Sequence, residues 1–346
     1  VRPEVVVDHD LTLTLDARTA KPLAAAVTDV RVSGVIGVVD YSWTSADAAT
    51  NSSFLVWSDP DAVFQTPTGK VSHPGFASSA RAEFKDSEIS ASLHGDPRAK
   101  DSFALWSQWE DKALEGRHTV TLVPAPPAGR AVRPRGAYAL LVADEDPETP
   151  EDDAVAELVS RGAAGVVLVH GADRGFASLE KRTVPALMTD AATGSRLAAA
   201  LGHRSGRLTF DCAQWTRPSY TLGRVVQGKV PETVALRARR RDLVEVRSEI
   251  RAQNADAVGE LSYPVLGPDN SGGGLIHRVK AGTVRTDYLP AGLRIQASWV
   301  MGADMNAGSV DLWSGDSAME WTSTMPAHRA GAKVRQTWMN AVLAPS

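Results

Sequence analysis

Of the serines, histidines and carboxylates in this 346-residue chain, few stand in a setting where chemistry could use them. Gly315-Asp316-Ser317-Ala318-Met319 offers a serine in a short glycine-containing run. Asn270-Ser271-Gly272-Gly273-Gly274 offers a second, in a stretch whose backbone N–H groups could face an oxyanion. A nucleophilic serine needs a base beside it and a backbone that presents it, usually at the start of a helix. No helical pattern follows Ser317, and Ser271 lies between Pro268-Asp269 and Leu275-Ile276 as in an ordinary hairpin loop, so both are read as turns. His170 ends the apolar run Val166-Val167-Leu168-Val169 and is the base that a triad of dispersed residues, with Ser317, would have to use.

Metal-ligating and binding residue types are equally sparse. Asp8-His9-Asp10 is the densest group of His and carboxylate, but neighbours on a strand point to opposite faces, so only Asp8 and Asp10 could share an ion. The acidic run over residues 144–153 could supply oxygens to Ca2+, yet it lacks the regular spacing and central glycine of a calcium loop. The single cysteine, Cys212, excludes an internal disulfide and a cysteine metal cluster; beside Asp211 after an apolar strand it is read as a small buried hydrophobe. Arg237, Arg239, Arg240 and Arg241 form the concentrated basic patch, and strand alternation would put Arg237, Arg239 and Arg241 on one face, suited to an acidic partner surface or simply solvated. Trp43, Trp57, Trp106 and Trp109 would serve a sugar-binding surface if exposed and a core if buried. The expectation is no catalytic, cofactor or metal residue in this chain.

The elements that must carry these residues fall into three segments. Residues 1–133 show period-two strands, as in Leu11-Thr12-Leu13-Thr14-Leu15 and Thr119-Val120-Thr121-Leu122-Val123, separated by turns such as Asp59-Pro60 and Gly95-Asp96-Pro97; an antiparallel β-sandwich is expected. Pro124-Ala125-Pro126-Pro127-Ala128-Gly129 is a stiff boundary. Residues 134–211 then read strand, helix, strand, strand, helix, strand, an α/β unit, with Gly165 expected to stop the first helix. Residues 212–346 return to period two in Leu243-Val244-Glu245-Val246-Arg247, Ile295-Gln296-Ala297-Ser298-Trp299 and Val334-Arg335-Gln336-Thr337-Trp338, a second sandwich whose tryptophans fill its core. The fold class expected is mainly β with an inserted α/β domain.

With 37 basic and 41 acidic residues the net charge is −4, which gives no electrostatic case for nucleic acid or an anionic membrane as partner. No apolar run approaches the roughly 18 residues of a membrane-spanning helix. The chain begins at Val1 without a basic n-region, as expected of a processed product or an excised piece.

Gly136-Ala-Tyr-Ala-Leu-Leu-Val, the helix ending Leu158-Val-Ser-Arg-Gly-Ala-Ala-Gly165, Val-Val-Leu-Val-His170 and Val184-Pro-Ala-Leu-Met-Thr-Asp190 together resemble a protease-associated domain. The acidic run over residues 144–153 departs from that family, which has an aromatic-Lys stretch entering the first helix. Leu11-Thr-Leu-Thr-Leu-Asp-Ala-Arg18 with Ala20-Lys-Pro22 resembles the segment after the catalytic domain of large secreted bacterial subtilisin-like serine peptidases. Arg285-Thr-Asp-Tyr288, Trp299, Pro326-Ala-His-Arg-Ala-Gly331 and Trp338 before Pro345 are similar to the C-terminal sandwich of the same proteins. The Ser, His and Asp settings of that family's catalytic domain are missing; His170-Gly171 is followed by Ala172 rather than Thr. The resemblance therefore implies a non-catalytic accessory region of a secreted serine endopeptidase, whose partners are the catalytic domain of the same precursor and a protein or peptide substrate. Two other readings remain: a free-standing extracellular binding or adhesion protein, and a hydrolase whose triad is not recognisable in sequence.

Overall fold

A computed structural model describes residues 10, 12, 14, 16–30, 32–44, 49–57, 63–72, 75–86, 89–94, 103–105, 116–125, 134–142, 151–170, 184–202, 204–212, 215–251, 258–266, 276–301 and 319–338. The chain is mainly β and divides into two compact units: Val1–Asp86 with Pro218–Ser346, and Ser87–Arg217 between them in sequence. The first unit opens with β1 (Lys21–Val27), β2 (Val32–Thr44), β3 (Ala49–Trp57), β4 (Phe64–Gln65) and β5 (Ala77–Asp86). The second holds β6 (Ile89–His94), β7 (Phe103–Leu105), β8 (Gly116–Pro124), β9 (Tyr138–Val142), α1 (Glu151–Ser160), β10 (Gly165–His170), β11 (Ala186–Asp190), α2 (Ala191–Leu201) and β12 (Gly206–Cys212). The first unit resumes with β13 (Ser219–Gln227), β14 (Val234–Ala238), β15 (Val244–Ile250), β16 (Val258–Ser262), β17 (Ile276–Lys280) and β18 (Val284–Leu289), and closes with β19 (Ile295–Met301), β20 (Met319–Met325) and β21 (Lys333–Trp338).

In the first unit a mixed seven-stranded sheet, ordered β21-β15-β18-β13-β5-β2-β3, is covered on both faces. One face of β2, β5 and β13 presents Val39, Tyr41, Ala80, Ala82, Phe84, Tyr220 and Leu222 to the three-stranded sheet β14-β1-β4. The opposite face of β15, β18 and β21 meets the four-stranded antiparallel sheet β17-β16-β19-β20, with Val244, Val246, Leu289, Leu261, Val279 and Trp299 between them. Strict alternation makes this possible: Val244-Glu-Val-Arg-Ser-Glu-Ile250 buries every second residue, so one strand serves a core and a solvent face. The close fit shows at Gly259, where a Cβ would collide with the indole of the fully buried Trp299.

The second unit is built on another seven-stranded sheet, β11-β10-β9-β8-β12-β6-β7, in which β8 to β11 run parallel and the remainder antiparallel. Its end strands β7 and β11 approach one another, so the sheet curls around Ile89, Leu93, Phe103, Leu122, Leu140, Val167, Leu187, Leu208 and Phe210. Helix α2 adds Leu197 and Leu201 to that interior, and Gly194 lets it lie against Val169. Helix α1 lies on the other face, packing Val155 and Leu158 on Ala139, Val166, Leu168 and Met188. Because β10 is covered on both faces, it is a continuous apolar run rather than an alternating one.

The unit boundaries at 86/87 and 217/218 differ from the sequence-drawn 133/134 and 211/212 for a pairing reason. Strands β6 to β8 hydrogen-bond through β12 into the sheet of the second unit, and alternation along one strand says nothing about which sheet it joins. A second difference concerns helix α1. It ends not at Gly165 but in a Schellman turn at Gly162 (φ 94°), with Ala163 N–H bonded to Leu158 O and Gly162 N–H to Val159 O. Gly165 is the first residue of β10, where a Cβ would strike the ring of Tyr138.

Candidate functional site

Among the described residues, the largest concentration of buried polar side chains lies in the first unit, between its seven-stranded and four-stranded sheets. On β18 the spacing of two in Arg285-Thr-Asp287 aims both side chains inward, and they are 2% and 0% exposed. Arg285 Nε donates to Asp287 Oδ1 and Oδ2 at 2.9 and 2.8 Å. Ser219, at the start of the neighbouring β13, donates its backbone N–H and its hydroxyl to Asp287 Oδ1 at 2.9 and 2.8 Å. A buried carboxylate costs several kcal/mol in lost hydration, and here a cation and two neutral donors offset it.

Beside this pair, the Tyr263 hydroxyl lies 2.7 Å from Ser248 Oγ on β15. Ser248 Oγ lies 3.4 Å from Gln336 Oε1, its acceptor, and Trp338 Nε1 donates to Ser248 Oγ, also at 3.4 Å. Burial, followed by the Asp287 charge, pushes the Tyr263 hydroxyl above its ordinary range, so it stays protonated, and either hydroxyl of the Tyr263–Ser248 pair can donate. On β17, His277 is 2% exposed, and its Nδ1 has no hydrogen-bond partner among the described residues. Burial, then the charges of Arg285 and Lys85, hold this imidazole well below its ordinary pKa, which keeps it neutral.

Ser219, His277 and Asp287 are the residue types of a hydrolytic triad, but their arrangement is not one. Ser219 bonds directly to the carboxylate, leaving no base on its hydroxyl, and His277 Nδ1 lacks the carboxylate that would orient it. All three are buried in the sandwich, and the hydrogen bonds of the cluster tie β13 to β18, and β15 to β21 and to Tyr263. A second buried pair, Arg81 and Glu83 on β5 at 2.9 Å, borders a cleft lined by Asp40, Ser79, Arg224, Val225 and Val265. With about 10 Å3 of enclosed space, this cleft has room for one water molecule at most.

The residues singled out in sequence are scattered. His170 is the last residue of β10, hydrogen-bonded in parallel register opposite Asp190, and its side chain is outside the described set. Ser271, Ser317, Asp8, His9, Trp106, Trp109 and residues 144–150 also lie outside the described residues, and with them the calcium expectation. Among the described residues, no group of three His, Cys, Asp or Glu is placed to hold a metal ion. No helix among them is long and apolar enough to cross a membrane. Cys212 is buried in the second unit's interior. Trp43 packs against the apolar core of β1, β2 and β5, and Trp215, Trp299 and Trp338 are buried.

The basic patch departs from the expected single face. Strand β14 ends at Ala238, and Arg240–Asp242 is a 3-10 turn, so Arg239 and Arg241 do not continue the face of Arg237. Two local acids turn the chain: Arg239 Nε and N–H both bond Asp242 Oδ2 at 3.0 Å, and Arg240 N–H bonds Asp29 Oδ1 at 2.9 Å. The side-chain hydrogen bond from Arg239, ahead of its backbone one, lowers the Asp242 carboxyl below its ordinary value.

What sequence reading missed is the buried network itself. Its one local signal is the charged pair of β18 spaced two apart and in phase with the apolar Leu289; its other members come from β13, β15, β17, β21 and, at Tyr263, the segment after β16. No protein-family model matches the chain, and no curated protein matches it, so the reading of function rests on these residues and the arrangement of the units.

Proposed function

We propose that this chain is a non-catalytic accessory part of a secreted subtilisin-like serine endopeptidase, with residues 134–211, inside the inserted unit Ser87–Arg217, acting as a protease-associated domain. It scaffolds a catalytic domain of the same precursor and restricts which protein or peptide substrates reach it. The observation that supports this reading is the order β9, α1, β10, β11, α2, β12 within one inserted unit, with the helix turn at Gly162-Ala163 and a strand entered through Val184-Pro-Ala. Insertion suits an access role, because the unit enters and leaves from adjacent antiparallel strands, Lys85 opposite Ser219, and so can be added or removed without rewiring the sandwich.

That geometry supplies the experiment. In the parent polypeptide, residues 87–217 are replaced by a two-residue Asn-Gly turn joining β5 to β13. Cleavage of folded casein-sized proteins should change at least tenfold while cleavage of a short peptide changes little; equal effects on both would overturn the access role. In parallel, the purified chain is treated with a fluorophosphonate probe and its intact mass measured. No adduct and no casein digestion are expected, whereas a covalent adduct with turnover would make the chain itself a hydrolase.

A further inference from the structure

We propose that the sandwich of the first unit carries an acid-operated latch: protonation of His277 releases edge strand β17 from the sandwich interior. This inference stands on the packing around one side chain and is independent of the accessory reading. Among the described residues strand β17 is the end strand of its sheet and pairs with β16 alone, and it contributes His277 and Val279 to the interior. His277 is in one row with Leu261 of β16 and Trp299 of β19, both fully buried, so its imidazole is enclosed rather than wetted.

The charged groups around it make that enclosure conditional. The charges of Arg285 on β18 and Lys85 on β5 act on it; Asp287 lies two residues from Arg285 on the same buried face, Glu83 is buried two residues from Lys85, and Tyr263 is buried after β16. The inward residues of β13, β15, β19 and β21 near it are Ser219, Ser248, Trp299 and Trp338, none of which titrates in the range of histidine. Asp287 is already engaged by Arg285 and by both donors of Ser219, and Glu83 lies 2.9 Å from Arg81. The charges that act on the imidazole are those of Arg285 and Lys85, and both repel an imidazolium.

A proton on His277 therefore puts another cation into a closed interior, and the least costly relief is to undock the edge strand that carries it. The sign follows from linkage. The docked imidazole holds its proton more weakly than the released one, whose pKa is near the ordinary value of about 6.5. The latch is fully closed above that value and weakens as pH falls through it, the population of the released form rising about tenfold per pH unit until the docked imidazole itself protonates.

The test is hydrogen exchange on the intact chain at pH 7.5, 6.5, 5.5 and 5.0, corrected for the intrinsic pH dependence of exchange. Peptides covering β16 and β17 are compared with peptides from β10 and β13. Loss of protection below pH 6.5, confined to β17 and its partner β16, is expected in the wild-type chain and should vanish in H277Q and H277F. Unchanged protection down to pH 5.0, an even loss across β10, β13 and β17, or an undiminished loss in either variant would overturn the latch. Should both variants fail to fold, the wild-type pattern alone decides, because only a local release confines the change to β16 and β17.

Discussion

The interiors of the two units solve the same packing problem with different materials. Inside the curled sheet of the second unit the described core holds no buried charged side chain; its polar members are threonines such as Thr189 and Thr193, and Cys212 behaves there as a small hydrophobe. Between the sheets of the first unit, Arg285, Asp287, Ser219, Ser248, Tyr263 and His277 sit among Val246, Leu261 and Trp299. An apolar interior is non-directional and tolerates small shifts of register, whereas every polar group in the sandwich must meet a particular partner or remain unpaired. The first unit is assembled from chain on both sides of a 131-residue insert, Ser87–Arg217, and its network joins β13, β15, β18 and β21, all from the later segment, to one another. Directional bonds there define the register of strands that meet in both parallel and antiparallel pairs.

The sharpest way to break this contrast is Asp287→Ala. It takes the carboxylate partner from the buried Arg285 guanidinium and removes the acceptor of both Ser219 donors, a loss of about 3–5 kcal/mol by the usual cost of removing one partner of a buried ion pair. Chemical denaturation with exchange read separately on β10 and β18 should show the first unit destabilised and the second unchanged. If replacing both partners, Arg285→Met with Asp287→Leu, recovers most of the loss, the pair serves specificity more than stability; if the double variant is as unstable as the single, the pair is net stabilising.

Next in size is the apolar interior. Leu187→Ala, at a fully buried position of β11, removes three carbons from the centre of the second unit and should cost about 2–5 kcal/mol, with the value set by how far the curled sheet can collapse. Gly259→Ala in the sandwich acts oppositely, by overfilling. Its methyl group meets the rigid indole of Trp299, and about 1–3 kcal/mol is expected. Thermal unfolding of the two variants, followed by exchange in each unit, checks that each loss stays in its own interior; a loss shared equally by both units would show that they do not unfold separately.

The same contrast explains what could be read from the sequence. Strand β10 and helix α2 are legible nearly to the residue, because a doubly covered parallel strand is a continuous apolar run and an alanine-rich segment of period 3.6 is a helix. Strands β15, β19 and β21 are equally plain from alternation. The two unit boundaries are not, since β6 and β8 look like any half-buried strand and only their pairing with β12 assigns them. The stop of α1 is ambiguous in sequence because two glycines three residues apart are both plausible breakers, and the left-handed turn that distinguishes Gly162 is a property of the backbone. The polar cluster is least legible, because its members are separated by up to 119 residues, Ser219 to Trp338, and become neighbours only through sheet order. Period two does announce that Arg285 and Asp287 share a face with Leu289, and a charged pair in phase with a core residue is the signal to look for.

The smallest effect is expected where charge meets water. Arg239 and Asp242 make a hydrogen-bonded ion pair whose geometry is as good as that of Arg285 and Asp287, yet their side chains are 48% and 41% exposed against 3% and 0%. Solvent screens the exposed pair and rehydrates whichever partner remains, so geometry alone does not set the worth of an ion pair. Arg239→Ala should leave the denaturation midpoint where it was. Its mark should appear on Asp242 instead: the carboxyl, held down first by the Arg239 side chain, should titrate closer to the ordinary carboxylate value in an NMR pH series. A variant with an unmoved Asp242 would show that the backbone N–H and Arg241 hold the acid unaided. A variant with a clearly lowered midpoint would mean that the 3-10 turn at Arg240–Asp242 matters to the docking of β15 next to it, and that exposure is a poorer guide in this sandwich than the contrast between its two ion pairs implies.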